Sequence, residues 1–150
     1  MIDIHSKADY PASALSNFCR YPFVIDGVEC ASMEGFLQSL KFKSPKRQAR
    51  VCHLSGKAAK KKGRWGIMWR LFGRLYWRGK GIDRYGEDFT RLVRRSYLAM
   101  HQSSPELRKA LSDTHGAPLC HSIGGSDKRK TVLTEEEFIT LLDELRNVDP

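Results

Sequence analysis

The chain has 150 residues, 41% of them hydrophobic, and carries 26 Lys and Arg against 17 Asp and Glu, a formal net charge of +9. That length and apolar content suit one domain, 1–150, able to bury a core without disulfide or metal staples. No charged start leads into an apolar run, and no stretch of about 18 continuous apolar residues occurs, so a soluble, unexported, cytoplasmic protein with no membrane partner is expected.

The charge is placed unevenly. Of the 26 basic residues, 14 lie between Lys41 and Lys80, where there is no Asp or Glu, leaving 12 basic against 17 acidic residues elsewhere. A block of that kind attracts phosphate, on a small nucleotide or on a nucleic-acid backbone, and otherwise serves as a solvated face.

In chain order, "YPFVIDGVECA" holds two short β-prone runs around Asp26-Gly27, the signal of a two-residue hairpin. A first helix follows from about Ser32. Met33, Phe36, Leu37 and Leu40 form its apolar stripe, while Glu34, Gln38 and Lys41 share a second, polar stripe beside it. Ser44-Pro45 opens a second helix ending near Gly56, and the basic "KAAKKKGR" leads to a third, "RWGIMWRLFGRLYWRG". In that third helix Trp65, Trp69, Phe72 and Tyr76 are expected to face inward, with Arg70, Arg74 and Arg78 outward. Base stacking and a membrane-surface face are the alternatives for its aromatic residues.

Phe89, Leu92, Val93, Tyr97 and Met100 mark a fourth helix, and Ser104-Pro105 opens a fifth that stops at Gly116. Thr134 and Glu137 form a capping box for the last helix, whose apolar face is Phe138, Leu141, Leu142 and Leu145. The expected fold is therefore mainly α, about six helices in one compact domain with a small N-terminal β-hairpin. "WRGKGIDRYGED" and "CHSIGGSDKRKTVL" are the Gly-containing loops in which sites commonly sit.

Cys19, Cys30, Cys52 and Cys120 have no paired spacing, which favours free, packed thiols; the five histidines have no ligand spacing, so no metal and no cofactor are expected. Phosphate-binding, dinucleotide-binding, zinc-protease and serine-hydrolase signatures are all missing. Chemistry must then rest on carboxylates, lysines and loop polar groups.

"LSNF" (15–18), "PFVIDGVEC" (22–30), "SMEGFLQSLKF" (32–42) and "LCHSIGGSDKRKTVLTEEEFITLLDELR" (119–146) resemble, in order, the YbiA-like or NADAR family of small helical N-glycosidases. The Trp-Gly-rich loop of some members is "GGSDKRK" here. The resemblance implies cleavage of a ribose–nitrogen bond: removal of ADP-ribose from guanine in nucleic acid, or hydrolysis of a phosphorylated ribosylamino-pyrimidine of riboflavin synthesis. The basic block favours the polyanion. A non-catalytic module binding nucleic acid or ADP-ribose is the alternative of another class. Oligomeric state is not legible.

Position alone makes Glu34 a helix-starting acid. The motif makes it the acid or base at the ribosyl carbon, with Gln38 orienting the substrate or Lys41, and Lys41 either a surface base or the amine of a Schiff base. Gly124, Gly125, Ser126, Lys128 and Arg129 are expected to hold phosphate, with Asp127 assisting proton transfer or ribose binding. Asn17 and Phe18 would contact a base, and Trp77 and Arg84 would close the pocket.

Overall fold

The computed structural model describes residues 1–149. Its hairpin is β2 (Phe23–Ile25) against β3 (Val28–Cys30), following a two-residue strand β1 (Ile2–Asp3). Asp26 and Gly27 turn it, both at positive φ, as a two-residue turn of this twist requires. The helices are α1 (Met33–Ser39), α2 (Pro45–Cys52), α3 (Gly56–Gly63), α4 (Trp69–Phe72), α5 (Glu87–Ser103), α6 (Pro105–Ser112) and α7 (Glu135–Arg146). A second hairpin, β4 (Arg74–Trp77) with β5 (Lys80–Asp83), stands between α4 and α5, and β6 (Leu119–Cys120) pairs in parallel with β1.

Local signals explain most of these boundaries. Ser32 accepts the Gly35 amide at 2.9 Å to cap α1; Ser44 caps α2 ahead of Pro45; Thr134 and Glu137 complete the reciprocal box on α7. The α1 stripe of Met33, Phe36, Leu37 and Leu40 is buried with Phe23, Trp77, Tyr97 and Phe138 in one core. Cys30 and Cys52 are buried and unbridged, and Cys19 and Cys120 are half-buried.

The expected third helix is not one helix. Residues 64–66 form a 3₁₀ turn, α4 lasts four residues, and Gly73, at φ 61°, ends it in the left-handed region. The chain then reverses as β4–β5, turned by Arg78 and Gly79 at φ 53° and 83°. Two periods were superposed in this stretch: Leu75 and Trp77 alternate inward with period two, as a strand demands. Trp69 is buried, but Trp65 is 78% exposed and Phe72 80%, so the inward aromatic face does not exist. The "WRGKGIDRYGED" loop is likewise mostly hairpin.

This second hairpin is knitted to α1 through buried polar groups. The Tyr76 amide donates to the Leu40 carbonyl at 2.7 Å. Buried Gln48 donates to the carbonyls of Tyr76 at 2.7 Å and Ser39 at 3.1 Å and accepts the Arg78 amide at 2.9 Å. Together these bonds satisfy backbone groups at the end of α1, next to Lys41, and so fix where that lysine emerges.

Candidate functional site

Because α1 buries Met33, Phe36, Leu37 and Leu40, its polar stripe must face the other way, and there it meets open space. Glu34, Gln38 and Lys41 line one wall of a cleft of about 400 Å³, within the range of small-ligand sites. Asn17, Phe18, Lys60, Arg64, Arg70, His121, Gly124, Gly125 and Lys130 line other parts of it.

The wall is built to close tolerance. Gln38 Nε2 donates to Glu34 Oε1 at 2.8 Å, and Lys41 Nζ donates to the Gly63 carbonyl at 3.3 Å. A Cβ on Gly63 would lie 1.8 Å from Gln38 Oε1, and one on Gly66 2.6 Å from Lys41 Cβ. Only glycine lets this segment lie against the polar stripe. Gln38 Oε1 is buried and has no partner among the described residues. On the far side the Glu34 amide donates to the Asn17 carbonyl at 3.0 Å, and Tyr97 Oη donates to Asn17 Oδ1 at 2.7 Å, so Asn17 is held beside the carboxylate by α1 and α5 together.

Burial pushes the Glu34 carboxyl above its usual value, against the pull of the Gln38 hydrogen bond and of Lys60, Lys41 and His121. Lys41 is displaced the other way. Burial, assisted by Arg70 and opposed by Glu34, lowers its amine from 10.5 to about 8. A carboxyl that tends to keep a proton thus shares a cleft with an amine that tends to lose one, which suits both for proton transfer and the amine for nucleophilic attack near neutral pH.

The structure separates the other expected site residues into two groups. Asn17, Phe18, Gln38, Gly124 and Gly125 line the cleft with Glu34 and Lys41. Trp77, Arg84, Ser126, Asp127, Lys128 and Arg129 do not. Trp77 is buried edge-to-face on Phe36, and its Nε1 donates to Asp26 Oδ2 at 2.8 Å. Arg84, 1% exposed, clamps Glu137 through two hydrogen bonds of 3.0 and 2.7 Å, donates to the Thr131 carbonyl and lies over the Phe89 ring. It is a tie between β5, the 121–133 loop and α7. Burial raises Glu137, but the hydrogen bonds from Arg84 and Thr134 outweigh it and hold the carboxyl below its usual value.

Asp127 is paired with Arg129 at 3.1 Å, and that partner holds its carboxyl low, while Lys128 lies 3.7 Å from Glu137. Ser126 is exposed outside the cleft. The Gly124 amide, expected to be free for phosphate, donates to the His121 carbonyl at 2.8 Å. These loop groups are taken up by partners two, three and nine residues away.

His121 was not among the expected site residues, since it was weighed only for metal spacing. Its Nδ1 lies 2.5 Å from the Ile4 carbonyl, which can only accept, so Nδ1 carries the proton and Nε2 is left as the second ring nitrogen. The ring packs edge-on against Phe138. Lys60, Arg64, Arg70 and Lys130 were also missed singly, although three of them belong to the basic block. Among the described residues no group of three or more His, Cys, Asp or Glu is placed to hold a metal ion, and no helix is long and apolar enough to cross a membrane.

The model of the family described as bacteriophage protein GP30.3 matches residues 9–147. The chain belongs to this family. It is 39% identical over 147 residues, 97% of each chain, to the "uncharacterized 17.1 kDa protein in Gp30-rIII intergenic region" of Enterobacteria phage T4. The fold of this GP30.3-family protein matches the NMR structure of the E. coli protein YbiA with a TM-score of 0.64 at 21% identity, covering 97% of this chain and 82% of that one. The YbiA-like fold expected from the sequence is thus the fold found, with seven α-helices and two hairpins among the described residues where about six helices and one hairpin were expected.

Proposed function

We propose that this protein is an N-glycoside hydrolase that removes ADP-ribose from guanine bases of nucleic acid. The observation that carries this reading is the pair on one wall of the cleft, a Glu34 carboxyl raised by burial and a Lys41 amine lowered to about 8. The YbiA-like fold supports it, as does the likeness of the S-x-E-x-x-x-Q-x-x-K-F element, Ser32 to Phe42, to the NADAR family.

The chemistry follows from an amine-linked ribose. The base nitrogen pushes its lone pair onto C1′ as the C1′–O4′ bond breaks, and protonated Glu34 delivers its proton to O4′. The neutral Lys41 amine adds to the iminium carbon. A proton passes from the lysine nitrogen through the Glu34 carboxylate to the base nitrogen; the base leaves as a free amine, and an imine joins Lys41 to C1′. Water adds to that carbon, the C1′–lysine bond breaks, and the released sugar recloses. Gln38 orients Glu34 throughout by its hydrogen bond, and Lys60, Arg64 and Arg70 supply positive charge for the diphosphate.

Borohydride reduction tests the imine. Parent protein incubated with guanine-ADP-ribosylated oligonucleotide and borohydride should yield a substrate-derived mass on the peptide holding Lys41, and Lys41→Arg should lose turnover. Absence of that mass, with activity surviving in Lys41→Arg, would replace the imine by direct attack of water assisted by Glu34.

A further inference from the structure

Three aromatic side chains around the cleft are left in water. Trp65 and Phe72 are 78% and 80% exposed and Tyr85 is 50% exposed, although each such ring offers roughly 150–250 Å² for burial. All three are tied to the site. Trp65 lies between Arg64, which lines the cleft, and Gly66, which packs on Lys41. Phe72 follows Arg70, another lining residue, by two positions, and the Tyr85 ring covers the adjacent Gly73, where a Cβ would come within 2.5 Å of it. These rings, called the aromatic collar below, therefore belong to the segments that carry Arg64, Arg70 and the glycine packed on Lys41.

Among the described residues, no ion pair neutralises the charge around this collar. The ion pairs among the described residues use Arg84, Arg91, Arg94, Arg95, Lys109, Lys128, Arg129 and Arg146. None uses any of the 14 Lys and Arg between Lys41 and Lys80. An uncompensated basic field interleaved with exposed rings is complementary to a polymer carrying both phosphates and flat bases. A cleft of about 400 Å³ cannot enclose a polymer, so the remainder of a polymeric substrate has to lie outside it.

Resting on the nucleic-acid reading above, we infer that the collar of Trp65, Phe72 and Tyr85 is a docking surface for single-stranded nucleic acid flanking the modified base. Stacking on these rings needs unpaired bases, so a duplex fits it poorly.

The test uses the whole protein and an unmodified, fluorescein-labelled oligothymidylate of about twelve nucleotides, so that no turnover is involved. Anisotropy should show binding that weakens by about tenfold or more in Trp65→Ala/Phe72→Ala, with circular dichroism unchanged because both side chains are exposed, and a duplex of equal length should bind more weakly than the single strand. Parent-like affinity in the double variant, or equal affinity for duplex, overturns the inference. So does sedimentation with phosphatidylglycerol vesicles that the double variant loses and oligothymidylate does not compete away, which would assign the collar to membranes. Removal of ADP-ribose by a protein whose strand affinity ignores the collar would leave the glycosidase reading standing and this inference refuted; collar-dependent strand binding without turnover would do the reverse.

Discussion

Replacing Lys41 by Met should make the protein more stable while destroying its proposed chemistry. The methionine keeps an unbranched apolar stem in the same groove beside Gly66 and removes an amine that the fold holds at about 8 in place of 10.5. At about 1.4 kcal/mol for each tenfold change in proton affinity, that displacement corresponds to about 3 kcal/mol against folding when the amine is charged. The amine retains some contact with solvent and its loss removes an attraction that helps Glu34, so about 1–2 kcal/mol should be recovered. For a chain of this size that is a rise of roughly 3–6 °C in Tm. The pH dependence carries the sign: the unfolded state binds more protons between about 8 and 10.5, so the parent regains stability as pH rises through that window. The advantage of Lys41→Met should be full below about pH 8 and shrink toward pH 10.5. Calorimetry across that range checks it, and a variant less stable than the parent at pH 7, or one whose difference stays constant to pH 10.5, would refute the reasoning.

Glu34→Gln should abolish turnover and also stabilise the fold, since a carboxyl raised by burial loses stability as pH climbs above its usual value; the gain should be absent near pH 3 and present at pH 7 in thermal melts. Because turnover needs Glu34 protonated and Lys41 neutral, the rate should follow a bell in pH, falling on the acid side as Lys41 is protonated and on the alkaline side as Glu34 ionises, and a rate unchanged from about pH 4 to 10 would remove the pair from the mechanism. Arg84→Met should cost about 3–5 kcal/mol in urea unfolding, because Glu137 would be left half-buried without its clamp. Gly66→Ala should cut activity sharply with a retained circular-dichroism spectrum, because its Cβ would displace Lys41.

The parts of this fold legible in the sequence are those written in local chemistry. Ser32, Ser44-Pro45 and Thr134 with Glu137 mark helix starts that the structure keeps, and the α1 stripes follow from helical spacing alone. The stretch 64–79 misleads because a helical aromatic period overlies a strand period, and the decision falls to Gly73 and to the Arg78-Gly79 turn. Arg84 and Trp77 look like pocket residues by position in a Gly-containing stretch, yet their partners, Glu137 and Asp26, lie 53 and 51 residues away. His121 joins the cleft because β6 lies along β1, bringing Ile4 to its Nδ1 from 117 residues away. Such pairings are set by the packing of the whole chain.

The most direct test of the central claim is mass spectrometry of a guanine-ADP-ribosylated oligonucleotide incubated with this protein. The account predicts loss of the ADP-ribosyl mass, recovery of the intact guanine-containing strand and appearance of free ADP-ribose, none of it with Glu34→Gln. An oligonucleotide that keeps its ADP-ribose at stoichiometric protein, or that loses the base together with the sugar adduct, would contradict it.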